Sequence, residues 1–218
     1  SNGASPTITN CTISDNQTLG SAGIGGGINC EQASPVISNC VINNNFADSA
    51  GGGIACYQAD PIITNCIITN NGAVFQGGGI DLEDSSPVIT NCTILIDDPD
   101  ASKDGGIYAY HGSSPVVTNC ILWGNGDDLS GCSATYSLIE DKDPGTGNIH
   151  PKDPPIFVTG PLGNYYLSQI AAGQVADHPY VQEQIEDQPQ PRKAVKNPGK
   201  RARMDAVTLD NPHRVLPV

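Results

Sequence analysis

The sequence has little positive charge, few aromatic side chains and no long apolar run. Its 218 residues include ten Lys and Arg against 23 Asp and Glu, which gives a formal net charge of −13. This negative charge repels phosphate groups, so neither nucleic acid nor an anionic membrane surface is expected as a partner. No run of about 18 apolar residues occurs, so no membrane span is predicted. Residues 1–4 lack the basic and apolar regions of a signal peptide, and we interpret the chain as a mature fragment or a piece of a longer protein.

Basic residues are concentrated near the C-terminus. Residues 1–180 contain three Lys, no Arg and 18 acidic residues, whereas residues 181–218 contain seven Lys and Arg and five acidic residues. The second segment also has five Pro, one Gly and no aromatic residue, so it can bury little apolar surface to offset the entropy of folding. We predict that residues 181–218 form a basic, Pro-rich, disordered tail.

Two short motifs alternate along the first 126 residues. A Gly run followed by Ile occurs with its Ile at Ile28, Ile54, Ile80 and Ile107. The other motif, Pro-x-Ile/Val-x-Asn-Cys-x-Ile/Leu, occurs five times, with its Cys at Cys11, Cys40, Cys66, Cys92 and Cys120. From each Ile to the next Cys is 12 or 13 residues, whereas the stretch from Cys to the following Ile varies from 14 to 17. Insertions therefore gather in one half of the repeat.

The repeat predicts short stacked strands. Its segments alternate Ile, Val and Thr with a period of two, and none has the ten or more residues that a helix would need. Three consecutive Gly and a Pro in a repeat also disfavour a helix. Equivalent positions would stack at about 4.8 Å in a parallel β-helix, so that each becomes a column along the axis. The inward columns contain Ile or Val, Cys, and Ile or Leu, and the Asn before each Cys lies at a bend where a left-handed backbone is tolerated.

The eight cysteines are predicted to be free thiols rather than disulfides or metal ligands, and those of the repeat are predicted to be buried. No C-x-x-C pair with zinc spacing is present, and five Cys recur at the period of the repeat. Stacked Cβ atoms would be about 4.8 Å apart, whereas a disulfide requires roughly 3.8 Å. The Gly runs are predicted to be turns, because no Lys or helix follows them as in a phosphate-binding loop. Cys132 lies outside the repeat pattern and is expected to be exposed.

These motifs resemble the right-handed parallel β-helix repeats of the pectin-lyase-like superfamily, and also the repeats of bacterial polymorphic outer-membrane proteins. The resemblance covers residues 5–126 and implies an all-β, right-handed parallel β-helix of about five coils, assigned here to residues 1–126. Residues 127–180 resemble the segment that closes such helices in large bacterial surface proteins, and the tail departs from the family. The resemblance implies an extracellular or cell-surface location.

The same resemblance gives little support for an enzyme. Polysaccharide lyases of this superfamily would require a basic residue at the site, and residues 1–180 contain only Lys103, Lys142 and Lys152. Polygalacturonases would require an Asp trio with a Gly-His-Gly segment, whereas this chain has Tyr110-His111-Gly112. We therefore expect a non-catalytic protein.

The densest acidic cluster of the coils lies in the variable half of one repeat. It consists of Asp97, Asp98, Asp100 and Asp104. Carboxylate oxygens are the ligands that Ca²⁺ prefers, so Ca²⁺ is the cation that this cluster would bind. A solvated turn is the preferred interpretation, and no cofactor is predicted.

The strands that follow the Gly runs carry tyrosines among carboxylates and amides. Aromatic rings pack on the apolar face of a sugar ring while polar groups bond its hydroxyls, so this face predicts binding of a polysaccharide or a cell-surface glycan. The candidate residues are Glu31, Tyr57, Asp81, Glu83, Tyr108, Tyr110 and His111.

Three functions are compatible with this reading. The first is a non-catalytic secreted or surface-displayed module that binds glycans or adheres to surfaces. The second is a fragment of a carbohydrate-active enzyme, because Asp81 and Glu83 lie two residues apart on one strand, with Cα atoms about 6.8 Å apart, and such a pair fits the carboxyl spacing of glycosidases. The third is a purely structural spacer. The sequence predicts no oligomeric state.

Overall fold

The computed structural model of the chain describes residues 3–20, 22–95, 97–98, 105–152, 155, 157–160 and 163–167. Within these residues the chain is all-β, and its parallel strands wind into a solenoid, as the sequence predicts. The predicted tail, residues 181–218, lies outside the described residues, as do Asp100 and Asp104.

In the described part of the chain, 22 strands, numbered β1 to β22 in chain order, form four parallel sheets and one hairpin. Sheet I consists of β1 (Thr7–Thr9), β5 (Val36–Ser38), β9 (Ile62–Thr64), β13 (Val88–Thr90), β16 (Val116–Thr118) and β19 (Ala134–Thr135). Sheet II consists of β2 (Thr12–Ser14), β6 (Val41–Asn43), β10 (Ile67–Thr69), β14 (Thr93–Leu95), β17 (Ile121–Trp123) and β20 (Leu138–Ile139).

The two remaining parallel sheets complete each coil. Sheet III is short and consists of β3 (Gln17–Thr18), β7 (Phe46–Ala47) and β11 (Gly72–Ala73). Sheet IV consists of β4 (Ile28–Glu31), β8 (Ile54–Tyr57), β12 (Ile80–Glu83), β15 (Ile107–Tyr110) and β18 (Leu129–Ser130). An antiparallel hairpin of β21 (Phe157–Gly160) and β22 (Gly163–Leu167) follows them.

The stack completes about four turns. The prediction of about five coils counted the Asn-Cys units, but these alternate with four Gly-Ile strands, so five units enclose only four repeats. Strands β18, β19 and β20 continue the pairing past residue 126 with shorter connections.

The register places the predicted inward columns in one core. Ile37 pairs with Ile63, and Ile42 with Ile68, so that like side chains stack along the axis. Full burial of such a side chain stabilises the fold by about 1.5–3 kcal/mol. From the second coil onward, one column of aliphatic side chains is buried under each of sheets I, II and IV. In that order, the columns consist of Ile37, Ile63, Ile89 and Val117; Ile42, Ile68, Ile94 and Leu122; and Ile54, Ile80 and Ile107.

The cysteine column is confirmed from the second coil onward and is wrong for the first. All eight cysteines are free thiols. Cys40, Cys66, Cys92 and Cys120 are buried, and the thiol of Cys66 donates to the carbonyl oxygen of Thr64 at 3.3 Å. Cys11 is exposed because it lies in the outermost coil, where no further coil packs on it within the described residues.

The bend before each cysteine has the predicted left-handed backbone. The five Asn residues at this position have φ between 53° and 55°. Asn reaches this region more easily than most residues because its short polar side chain bonds locally. The residues are Asn10, Asn39, Asn65, Asn91 and Asn119.

Candidate functional site

The outward face of sheet IV brings the predicted glycan-binding residues into neighbouring columns, here called the Tyr-acid face. Cross-strand pairing aligns Glu31 with Tyr57, Tyr57 with Glu83, and Glu83 with Tyr110. Asp81 pairs with Tyr108 in the adjacent column. His111 follows β15 at a left-handed bend with φ of 50°.

Glu83 is the centre of the polar contacts on this face. Its carboxylate accepts a hydrogen bond from the Tyr110 hydroxyl at 2.9 Å and lies 3.1 Å from Nδ1 of His111. Its side chain is 33% exposed, so a ligand can still reach the carboxylate. Glu83 therefore both positions the aromatic rings and remains available to accept bonds.

Three rings form a continuous surface beside this carboxylate. The ring centroids of Tyr108 and Tyr110 are 5.1 Å apart, and those of Tyr110 and His111 are 4.7 Å apart. Burial, followed by the charges of Asp81 and Glu83, raises the pKa of Tyr110 above its usual value of 10.0. The phenol is therefore neutral at physiological pH and keeps the proton that it donates to Glu83.

Asp81 differs from the solvated carboxylate that strand alternation predicts. It is only 4% exposed, and its Oδ1 has no hydrogen-bond partner. Burial and the nearby charge of Glu83 raise the pKa of Asp81 from 3.8 to about 7. Asp81 therefore titrates in the physiological range, which the sequence did not predict.

The burial of Asp81 follows from the glycine turn before its strand. Gly77 has φ of 61°, and a Cβ added there would lie 2.7 Å from the Cβ of Asp81. The backbone of the turn thus folds back over the outward residue four positions later, and only glycine allows this approach. Gly51 covers Ala55 in the same way in the preceding coil.

Among the described residues, the Tyr-acid face carries no Lys or Arg side chain. The structure describes only two of the ten Lys and Arg residues, Lys142 and Lys152, and both follow β20 at the end of the stack. Glu31 and Tyr57 are half-buried at the other end of the face. The described part of the face is therefore acidic and aromatic.

The predicted calcium cluster does not form a solvated turn in the described residues. Asp97 is fully buried in a column of Asn side chains, where its Oδ1 accepts a hydrogen bond from Nδ2 of Asn71 at 3.0 Å. Burial raises the pKa of Asp97 well above its usual value of 3.8. Asp98 is half-buried beside it, and the expectation of no cofactor at this turn, with Ca²⁺ as its alternative, stays a prediction.

A different group of acids comes together at the end of the stack. Carboxylate oxygens of Asp127, Asp141 and Asp143 lie within 4.8 Å of one another. Burial, then the charge of Asp141, raises the pKa of Asp143. Sequence spacing gave no sign of this group, because the short last coil brings its members together.

The same short coil opens a cavity. Tyr108 and Val117 are nine residues apart, but their strand partners Ser130 and Ala134 are only four apart. The shorter turn leaves part of the preceding turn uncovered, in an open cavity of about 380 Å³. The cavity is lined by Ser113, Ser114, Pro115, Gly131, Cys132 and Ser133.

Cys132 is half-buried in this cavity rather than exposed, which corrects the sequence prediction. Burial, then the charges of Asp143 and Asp127, raises the pKa of its thiol to about 12. The cysteine therefore remains a protonated thiol and a poor nucleophile at neutral pH.

Comparison with protein families gives one match. The family model described as "Right handed beta helix region" matches residues 1–120, more than half of the chain. Comparisons with curated proteins and with solved structures gave no match. In the described part of the chain, no helix has the length and apolar character needed to cross a membrane.

Proposed function

Since the chain belongs to the family of right-handed β-helix regions, we propose that it is a non-catalytic β-helix module that binds glycans through the Tyr-acid face. In this proposal the module is secreted or displayed on a cell surface. The ring cluster of Tyr108, Tyr110 and His111, fixed by the bond between Tyr110 and Glu83, is the observation that supports binding.

The chemistry of the face suits a sugar chain. The rings offer apolar area to the C–H face of a pyranose, and aromatic contacts of this kind contribute to binding beyond their buried area. The exposed part of Glu83 accepts hydrogen bonds from sugar hydroxyls. Glu31, two strands away in the same column, does the same, and Tyr57 lies between them. Rungs repeat at about 4.8 Å, so consecutive coils present contacts to an extended chain.

The face is held rigid before a ligand arrives. Strand β12 pairs with β8 on one side and with β15 on the other, so the backbone beneath Asp81 and Glu83 is fixed on both edges. A preorganised surface loses less conformational entropy on binding, which favours affinity. The same stacking would allow the module to serve as a spacer, and measurement of binding separates the two roles.

The test compares Tyr110→Ala with wild type on a glycan array and by calorimetry with the glycans retained. We expect Tyr110→Ala to weaken binding by about 1–2 kcal/mol, or roughly 5- to 30-fold, because a partly buried aromatic contact is lost. Tyr136→Ala is the matched control, since Tyr136 is 66% exposed and lies outside sheet IV. Failure of the wild-type chain to bind any glycan, or equal loss in both variants, would contradict the proposal.

A second candidate is a carbohydrate-active enzyme fragment. The pKa of Asp81 is raised to about 7 while its neighbour Glu83 lies nearer solvent, and carboxyl groups in unlike environments are typical of acid and base pairs. Release of reducing sugars from a panel of polysaccharides, abolished by Asp81→Asn, would favour this function. Absence of release from glycans that the chain binds would favour the non-catalytic module.

A further inference from the structure

The Tyr-acid face combines negative charge with aromatic rings and has no described basic side chain except His111. Glu31, Asp81, Glu83 and Asp84 all lie on β4 and β12 or directly after them. A glycan rich in carboxylates or sulfates would meet like charges here, and such pairs are repulsive. The face therefore disfavours anionic glycans.

The buried carboxyl group of Asp81 lacks a donor of its own. Asp81 is only 4% exposed, and no described residue donates a hydrogen bond to its Oδ1. A buried acceptor without a partner destabilises the fold, and the charge of Glu83 two residues away increases the cost of ionising Asp81. Oδ1 is out of solvent contact, so a bound group does not donate to it, but a positive charge held at the partly exposed Glu83 would offset the cost of ionising Asp81.

The tyrosines add a second attraction for the same kind of group. The rings of Tyr108 and Tyr110 lie beside the carboxyl groups, and the faces of aromatic rings attract cations. A metal ion fits less well, because phenol rings are not ligands of hard cations. In the described residues, the acids that approach one another closely enough to share a metal ion are Asp127, Asp141 and Asp143, at the end of the stack.

We infer that the Tyr-acid face selects glycans that carry protonated amino groups, such as glucosamine polymers, over neutral and acidic glycans. This inference rests on the proposed glycan-binding function and names its ligand class. An ammonium group bound at the partly exposed Glu83 stabilises the ionised form of the neighbouring Asp81 through its charge, so ligand binding and ionisation assist each other. The sugar rings carrying the amines stack on Tyr108 and Tyr110.

The experiment uses calorimetry of the full chain with four oligomers of equal length at about pH 6. The oligomers are glucosamine, N-acetylglucosamine, galacturonate and lysine. We expect glucosamine oligomers to bind at least about tenfold more tightly than N-acetylglucosamine oligomers, with galacturonate weakest. Added salt should reduce this preference, because surface charges are screened at higher ionic strength.

Two variants and one control connect the preference to these residues. Asp81→Asn and Glu83→Gln should each lower the affinity for glucosamine oligomers several-fold more than the affinity for N-acetylglucosamine oligomers, so that the preference for glucosamine shrinks. Glu83→Gln keeps the test valid if Asp81→Asn fails to fold, since the side chain of Glu83 is partly exposed. Asp15→Asn removes the same charge from an exposed bend outside the face and should change neither affinity.

The outcomes are distinguishable. Equal binding of glucosamine and N-acetylglucosamine oligomers overturns the inference and leaves glycan binding intact. If lysine oligomers bind as tightly as glucosamine oligomers, the face recognises ammonium groups without the sugar, and this result also overturns the inference. Binding of no oligomer overturns the inference, and the glycan array then decides the proposed function separately.

Discussion

Replacing Asp97 by Asn should stabilise the protein. Asp97 occupies a column that contains Asn45, Asn71 and Asn125 in other coils. Nδ2 of Asn71 donates both to the carbonyl oxygen of Ile42 and to Oδ1 of Asp97, each at 3.0 Å. Oδ2 of Asp97 lies at the equivalent place, 2.9 Å from a Cβ built on Gly79, but it has no hydrogen-bond partner. An amide at this position can donate two bonds through Nδ2, whereas a neutral carboxyl group donates one and an ionised carboxylate donates none.

The magnitude follows from these bonds and from the pH dependence. Each added hydrogen bond is worth about 1 kcal/mol, and the amide adds one relative to the neutral acid and two relative to the carboxylate. The folded pKa of Asp97 lies above the unfolded value of about 3.9, so the unfolded chain loses its proton first as the pH rises. The free energy of unfolding is therefore highest below about pH 4 and falls by about 1.4 kcal/mol per pH unit until the folded pKa is reached. We expect Asp97→Asn to gain at least about 2 kcal/mol at pH 7.5 and less at pH 4.5.

Urea unfolding at both pH values, followed by circular dichroism, measures the effect. Asp81 and Asp128, whose pKa values are raised to about 7, also make the free energy of unfolding fall as the pH rises. The quantity to compare is therefore the difference in the free energy of unfolding between variant and wild type at each pH. Asp98→Asn controls for the loss of one negative charge, and Asn71→Asp should show the opposite change. Equal stability of wild type and Asp97→Asn at pH 7.5 would refute the assignment of a neutral, under-bonded acid to this column.

Three further predictions concern the core and the thiols. Cys66→Ser should lower the free energy of unfolding by about 1–3 kcal/mol, because a hydroxyl replaces a buried thiol; an unchanged melting temperature would contradict this. Gly53→Ala should cost about 1–3 kcal/mol, because its Cβ would lie 2.6 Å from the carbonyl oxygen of Gly79, and chemical denaturation measures the loss. Of the described thiols, Cys11 should react rapidly with a thiol reagent, and Cys132 slowly because its pKa is raised to about 12; a fast phase that survives Cys11→Ser would count against the burial of the others.

The repeating part of the fold could be predicted from the sequence because each position recurs. A single Ile or Cys shows little, but Ile37 recurs as Ile63 at a fixed distance from a Gly run, and only stacked coils keep such residues on one side. The Asn bends were predictable for a similar reason, since Asn39 and Asn65 each precede a Cys and tolerate positive φ.

The sequence was enough to predict which residues share the Tyr-acid face, but not how deeply each of them is buried. Alternation along β12 placed Asp81 and Glu83 on one face, yet it gave no sign that the Gly77 turn folds over Asp81. The repeat aligns Asp97 with Asn45, Asn71 and Asn125, yet its place in an acidic run favoured a solvated turn, and its burial and its bond with Asn71 became clear only from the structure. These differences arise where backbone from another part of the coil covers a side chain, which strand periodicity does not describe.

The identical register of successive coils makes chain length an adjustable property of this fold. Ile54 pairs with Ile80 and Ile80 with Ile107, so either edge of a coil accepts the next one in the same way. Removing or duplicating a complete coil would rejoin equivalent backbone edges and keep each column aligned. Gene duplication can therefore lengthen the Tyr-acid face in steps of about 4.8 Å, adding one rung of side chains at a time without redesign of the core.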